Sequence, residues 1–375
     1  MHRLKHFALP LLLLLAFAVL PAGCDLAGSG ESESDFDRAA MLRNYGENLA
    51  LPAFEALKTE ADELQAAAAA FSGEQNASSL ADLREELKHA RLAWQHASLY
   101  SFGPAEMRLL RPSLNTYPVD TAQVEENIAS GEYDLGAVGQ RDAAGFPAMG
   151  YMLYGLEEDD AALLERYRAG NGGEEALQYL SDLANQIQSL AGATLADWQG
   201  SGGDYLGTFL SEERAGTDKG SSLGMMFNAY VLHFERFLRS GKIGIPSGVL
   251  SAGVPRPRAT EAYYGGYSAE LALANLRAVR RFFRGEDTEG IDGPGLRDNL
   301  QAAGADELAS EIEAKMQEAE NALQGVSDPL SAQIENDNEP VLDAFTRLQD
   351  VVSLVKADMA SVLGVTITYQ DNDGD

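Results

Sequence analysis

From residue 36 onward, apolar residues recur at helical spacing over most of the chain. Leu42, Tyr45, Leu49, Ala53, Phe54, Leu57 and Leu64 mark one face of a long helix, and Pro52 within it predicts a kink. Leu80, Leu83, Leu87, Ala90, Trp94 and Ala97 mark a second helix, which Gly103 and Pro104 end. The same spacing predicts helices over 145–169, 174–199, 221–239, 267–284, 296–324 and 331–363. Period-two alternation is confined to Val-Thr-Ile-Thr-Tyr at 365–369, so the predicted fold is all-α. Four long helices with one apolar stripe each bury that stripe most simply as a bundle. Eight predict two packed four-helix bundles, residues 36–200 and 201–375, with the Gly-rich passage 199–204 as the boundary.

Two non-periodic passages interrupt the helices, 111–145 and the Gly/Pro-rich 241–266, and such loops are where function concentrates. A cleft between the bundles is the expected pocket. Around the rigid turn at Pro118 stand Arg111, Asn115, Tyr117 and Asp120. Just ahead of the second passage stand Asn228, His233 and Glu235. Each has a plainer alternative. Asp120 precedes Thr121-Ala122-Gln123-Val124-Glu125 as a helix N-cap would, and His233 is flanked by apolar residues as a core histidine would be.

The N-terminus reads as an export signal. Arg3 and Lys5 precede the apolar run of residues 8–20, too short for a normal transmembrane helix, and Ala22 and Gly23 lead to Cys24, the only cysteine. Residues 1–23 are expected to be cleaved and Cys24 lipidated, although Pro21 stands where a lipobox favours leucine. Residues 24–35, rich in Gly, Ser and acids, are the expected flexible tether. The lipid is then the membrane partner, and the protein is placed in the cell envelope, periplasmic or surface-facing. With one cysteine no intramolecular disulfide forms. The chain carries 58 acidic against 28 basic residues, a formal charge of −30, which argues against nucleic acid as a partner and for a surface adapted to high salt.

Several blocks in order carry a family resemblance: AWQHASLYSFGP at 93–104, LNTYPVDTAQVEENI at 114–128, GFPAMGYMLYG at 145–155, GSSLGMMFNAYVLHFERFLRSGKIGIPSG at 220–248, and TYQDNDGD at 368–375. Together they resemble the imelysin-like proteins over residues 36–375. That resemblance implies a bacterial envelope protein, often a lipoprotein, with links to iron uptake. It also implies a metallopeptidase, on the strength of a G-x-H-x-x-E motif. Here the block runs from Gly145 to Gly150, so Pro147 takes the histidine position and Gly150 the glutamate position. Neither side chain binds a metal, whereas Pro147 suits the first turn of the helix that continues to Tyr151.

No other pattern replaces the motif. Outside the signal there are only His89, His96 and His233, and H-E-x-x-H is absent. His89 and His96 lie roughly 10.5 Å apart along a helix, too far for one ion. Glu86 and His89 form a Glu-x-x-His pair, but the sequence offers it no further ligand. The tail Asp371-Asn372-Asp373-Gly374-Asp375 imitates only the start of a calcium loop. No G-x-S-x-G nucleophile elbow is read, and G-x-G-x-x-G and Walker patterns are absent. No cofactor is assigned and the metal set is left open. The expectation is a non-enzymatic ligand- or metal-binding lipoprotein linked to iron acquisition, with envelope iron-uptake partners. Its candidate cleft adds Gly145, Pro147 and Tyr151 to the residues above. The alternatives are a divergent metallopeptidase and a purely structural envelope protein.

Overall fold

Eight long helices carry the fold, and their sequence explains where each starts and stops. The computed structural model describes residues 36–168, 170 and 172–369. The expected signal peptide, Cys24, the expected tether and the calcium-like tail lie outside the described residues. Helix α1 (residues 38–73) begins where the Asp37 side chain accepts from Ala40 N. The kink expected at Pro52 takes the form of a wide π-type stretch, Asn44–Ala50, in which Leu51 N–H reaches back to Gly46 O. Pro52 then opens the next α-helical stretch, where its missing N–H is no loss. Helix α2 (Ala77–Ala97) is opened by a capping box between Asn76 and Ser79.

Helices α3 (Gly145–Tyr154) and α4 (Gly173–Trp198) pack with α1 and α2 as one quartet. Helices α5 (residues 222–247), α6 (Ser268–Arg284), α7 (Asp306–Gln324) and α8 (residues 339–363) form the second. The fold is therefore all-α, two packed four-helix bundles. Helices α2 and α6 join them, and one apolar core runs through both. Leu57, Leu87, Ile187, Phe227, Leu276, Ile312 and Leu348 are fully buried in it, each worth on the order of 2 kcal/mol. The N-terminal end of α1 also reaches the second quartet: Tyr45 Oη donates to Phe282 O at 2.5 Å, and Asn44 Nδ2 to Gly285 O at 2.7 Å. Tyr205 and Phe209, just past residues 199–204, pack on Trp198.

Several predicted helices are broken, each at a residue with a reason. The helix predicted over 145–169 stops at Gly155, against which Tyr264 packs so closely that an added Cβ would lie 2.2 Å from its ring. It resumes at Asp160–Arg168 after Asp159 caps Ala162 N. The one predicted over 296–324 breaks at Gly304, whose φ is +78°. The one over 331–363 pauses at Asp337 and Asn338 and restarts with Pro340 in its first turn. Passage 111–145 is not irregular throughout, since it holds Thr121–Ser130 and part of Leu110–Leu114. Residues 365–369 are extended but join no ladder; among the described residues the sole β-bridge links Glu286 and Asp292. The Asn228 side chain stands in for a neighbouring strand, donating to Thr366 O at 3.0 Å and accepting from Thr368 N at 2.8 Å.

Candidate functional site

Between the bundles lies a cleft of about 970 Å³. Helix α2 contributes Trp94, Gln95 and Ser98, the stretch 111–118 contributes Arg111, Asn115 and Tyr117, and α5 contributes Glu235, Arg236, Phe237, Arg239 and Lys242. In α5 the stretch His233–Gly244 is π-helical, with Ile245 N–H bonded to Ser240 O. The wider turn brings Glu235, Arg239 and Lys242 to the cleft wall, and π-type turns recur at functional sites. Tyr369 lines the same cleft from the extended C-terminal segment, its Oη donating to Glu235 Oε2 at 2.8 Å.

The floor is a buried polar cluster that neither bundle completes alone. Glu261, almost fully buried, pairs with Lys242 Nζ. Its Oε1 accepts from Asn115 Nδ2 at 2.8 Å and from Gln95 Nε2 at 3.2 Å. Burial works to raise the Glu261 pKa, but Lys242, Arg91 and the hydrogen bonds from Lys242 and Asn115 hold it below the usual carboxylate range. Arg91, also buried, donates through Nη2 to Glu261 O at 2.5 Å. Gln95 Oε1 and Asn115 Oδ1 have no hydrogen-bond partner. Arg111 lies with its guanidinium 3.9 Å from the Phe237 ring centre and 5.3 Å from that of Trp94. Its Nη2 donates to Ser98 O, to Ser101 Oγ and to His233 Nδ1, the last at 2.8 Å. Burial lowers the Arg111 pKa to about 10.

The fold thus gathers Arg111, Asn115, Tyr117 and Glu235 at one cleft, and it sets the other candidates around or away from it. His233 lies behind Arg111, fully buried, with Nε2 donating to Asn275 Oδ1 at 2.9 Å. Burial and then the Arg111 charge hold its pKa well below the ordinary value, so it is a neutral core histidine. Asn228 holds the C-terminal segment instead of facing the cleft. Asp120 caps Thr121–Ser130 through Gln123 N at 3.1 Å and is exposed. Gly145 starts α3 at φ +65°, so close to Leu114 O that an added Cβ would lie 2.3 Å away. Tyr151 Oη donates to Glu125 Oε1 at 2.7 Å.

Pro147 and Gly150 open on a smaller cavity of about 230 Å³, with Arg91, Tyr117 and Glu261 in its wall. A Cβ at position 150 would lie 3.4 Å from Arg91 Nη1. A fixed guanidinium therefore stands beside the altered motif, and the donor set there does not fit a metal ion. A different trio has ligand atoms within 4.8 Å of one another: Glu86 and His89, and facing them from α1, Glu60. Packing thus supplies the third ligand that the sequence did not offer. Burial, Glu63 and Glu86 raise the Glu60 pKa. His96 is elsewhere, half-buried, with its pKa lowered to about 4 by burial and Arg281.

Sequence reasoning missed Arg91, Gln95, Arg239, Lys242 and Glu261. Arg91 carried a readable signal, since it lies four after Leu87 and three before Trp94 on an apolar stripe. Glu261 carried none, because its loop has no period to violate.

The family model described as imelysin, a peptidase family by name, matches residues 50–355. No curated protein sequence matches. Among solved structures, one described as an iron-regulated protein A precursor from Parabacteroides distasonis is similar at a TM-score of 0.72 and 18% identity, covering 87% of this chain and 95% of that one. An imelysin-like protein from Psychrobacter arcticum is similar at a TM-score of 0.62 and 16% identity, covering 88% of this chain and 97% of that one.

Proposed function

The chain belongs to the imelysin family, and from that premise we propose that it is a lipid-anchored, non-enzymatic binding component of the cell envelope that takes a small ligand between its bundles. The observation that carries this reading is the cleft of about 970 Å³ whose polar lining converges from both bundles. Such a concave site, with few polar groups aimed inward, is what small-ligand recognition requires. Beside it, the positions that name the family's chemistry hold Pro147 and Gly150, and a zinc peptidase needs about three protein ligands and an open position for water. The link to iron acquisition rests on the family and on the name of the Parabacteroides protein. Export and anchoring rest on Arg3, Lys5, the apolar run and Cys24; no helix among the described residues is long and apolar enough to cross a membrane.

The rival is a divergent metallopeptidase, favoured by the family name and by the carboxylates near His89. The purified full-length chain is incubated with unstructured polypeptide substrates and several divalent metals, with a chelator control. No turnover above the chelated control is expected. Chelator-sensitive cleavage that co-purifies with the chain and is lost in Glu86→Gln would establish the rival.

A further inference from the structure

We propose that the cleft binds a small organic anion, whose carboxylate is held by Arg111. This rests on the cleft reading above and names the class of ligand.

Charge is the first argument. Arg111, Arg236, Arg239 and Lys242 line the cleft against two carboxylates, Glu235 in the wall and Glu261 in the floor, in a chain whose net charge is −30. A random sample of this surface would be acidic, so the reversal needs a cause. Local pairing accounts for part of it, since Lys242 is matched by Glu261, and Glu235 by Lys356 at 3.0 Å. Arg111 is not matched in this way. Its hydrogen bonds end on a carbonyl, a hydroxyl and a neutral imidazole, and its Nε has no hydrogen-bond partner. A guanidinium removed from water without a carboxylate is costly, and an anion in the cleft would offset that cost.

Aromatic contacts fix the group in place. Phe237 and Trp94 hold the guanidinium over their rings, so little side-chain freedom is lost when it engages a ligand. The buried Gln95 Oε1 and Asn115 Oδ1 lack donors, which a ligand with a hydroxyl or amine next to its carboxylate would supply. Size excludes a bare oxyanion as the intended occupant, because the cleft is many times the volume of one. Leu232, Ile245 and Leu250 give it apolar wall for an organic body.

The test is calorimetric titration of the full-length chain with monocarboxylates from acetate to indole-3-acetate, with the primary amide of each, and with inorganic phosphate. Carboxylates with an apolar body should bind at least about tenfold more tightly than their amides, as a charge-assisted hydrogen bond requires. Arg111→Gln should bring the carboxylates down to the amide level and Arg111→Lys should restore part of the difference. If Arg111→Gln does not fold, the acid–amide comparison on the unaltered chain decides. Equal binding of acids and amides would keep the cleft and overturn the anion. Phosphate binding as tightly as the best carboxylate would overturn the organic body. Binding of no probe would overturn both this proposal and the cleft reading.

Discussion

Glu261 is the residue on which the floor of the cleft depends, because it alone answers Lys242, Asn115 and Gln95 together. Removing one member of a buried ion pair leaves the other charge stranded, at a cost of about 3–5 kcal/mol. Glu261→Gln is therefore expected to destabilise the chain by that amount in denaturant unfolding. Combining it with Lys242→Met should recover much of the loss. Loss of less than about 1 kcal/mol in the single variant would mean that the pair is not buried as described. The same residue shows where sequence reading stopped. Arg111, Asn115, Tyr117 and Glu235 stood out as polar groups beside Gly/Pro passages, and the fold brings them to one cleft. Glu261 and Lys242 meet only through tertiary packing, and nothing in their local sequence announces the meeting. Asp120 and Asn228 answered to local chemistry, one as an N-cap and the other as a substitute for a strand neighbour.

At the level of elements, helix existence was legible because burial imposes a 3.6-residue period on every stripe. Breaks were less so. Gly155, Gly304 and Asn338 interrupt runs whose apolar spacing continues on both sides, and the period alone cannot register a turn that keeps phase. The π-type stretches of α1 and α5 were invisible for a different reason: one extra residue per turn rotates the stripe by roughly 100°, and over one or two turns such a phase slip cannot be told from ordinary variation in which positions are apolar. Helix α3 joins these levels. Its first residue, Gly145, has φ +65° and lies against Leu114 O, in the stretch that presents Arg111 and Asn115. Gly145→Ala demands both a strained backbone and retreat of that stretch, together about 3 kcal/mol or more. A melting temperature lower by about 4 °C or more is expected. An unchanged melting temperature would show that the stretch moves freely and that α3 does not set the position of Arg111.

Over the whole molecule, the two bundles share one core but divide the polar chemistry between them. Asn275 of α6 donates to Gln95 O of α2 at 2.9 Å and accepts from His233 of α5, so the cleft wall is tied across the joint. Between α6 and α7, Arg277, Arg280 and Arg284 meet Glu313 and Glu320, which takes several of the few basic residues into the second bundle. Those left at the cleft give an acidic protein its basic recess. Pro147 and Gly150, by contrast, offer no ligand atom and have the guanidinium of Arg91 as neighbour. The central claim is that fixed side-chain cations, in place of a metal ion, furnish the region between the bundles. The most direct measurement is equilibrium dialysis of the full-length chain and of His89→Ala against iron, zinc, copper and calcium, followed by elemental analysis. The account predicts no stoichiometric metal in His89→Ala, any ion held by the unaltered chain being confined to Glu60, Glu86 and His89. One equivalent of metal retained by His89→Ala would place an ion between the bundles and contradict it.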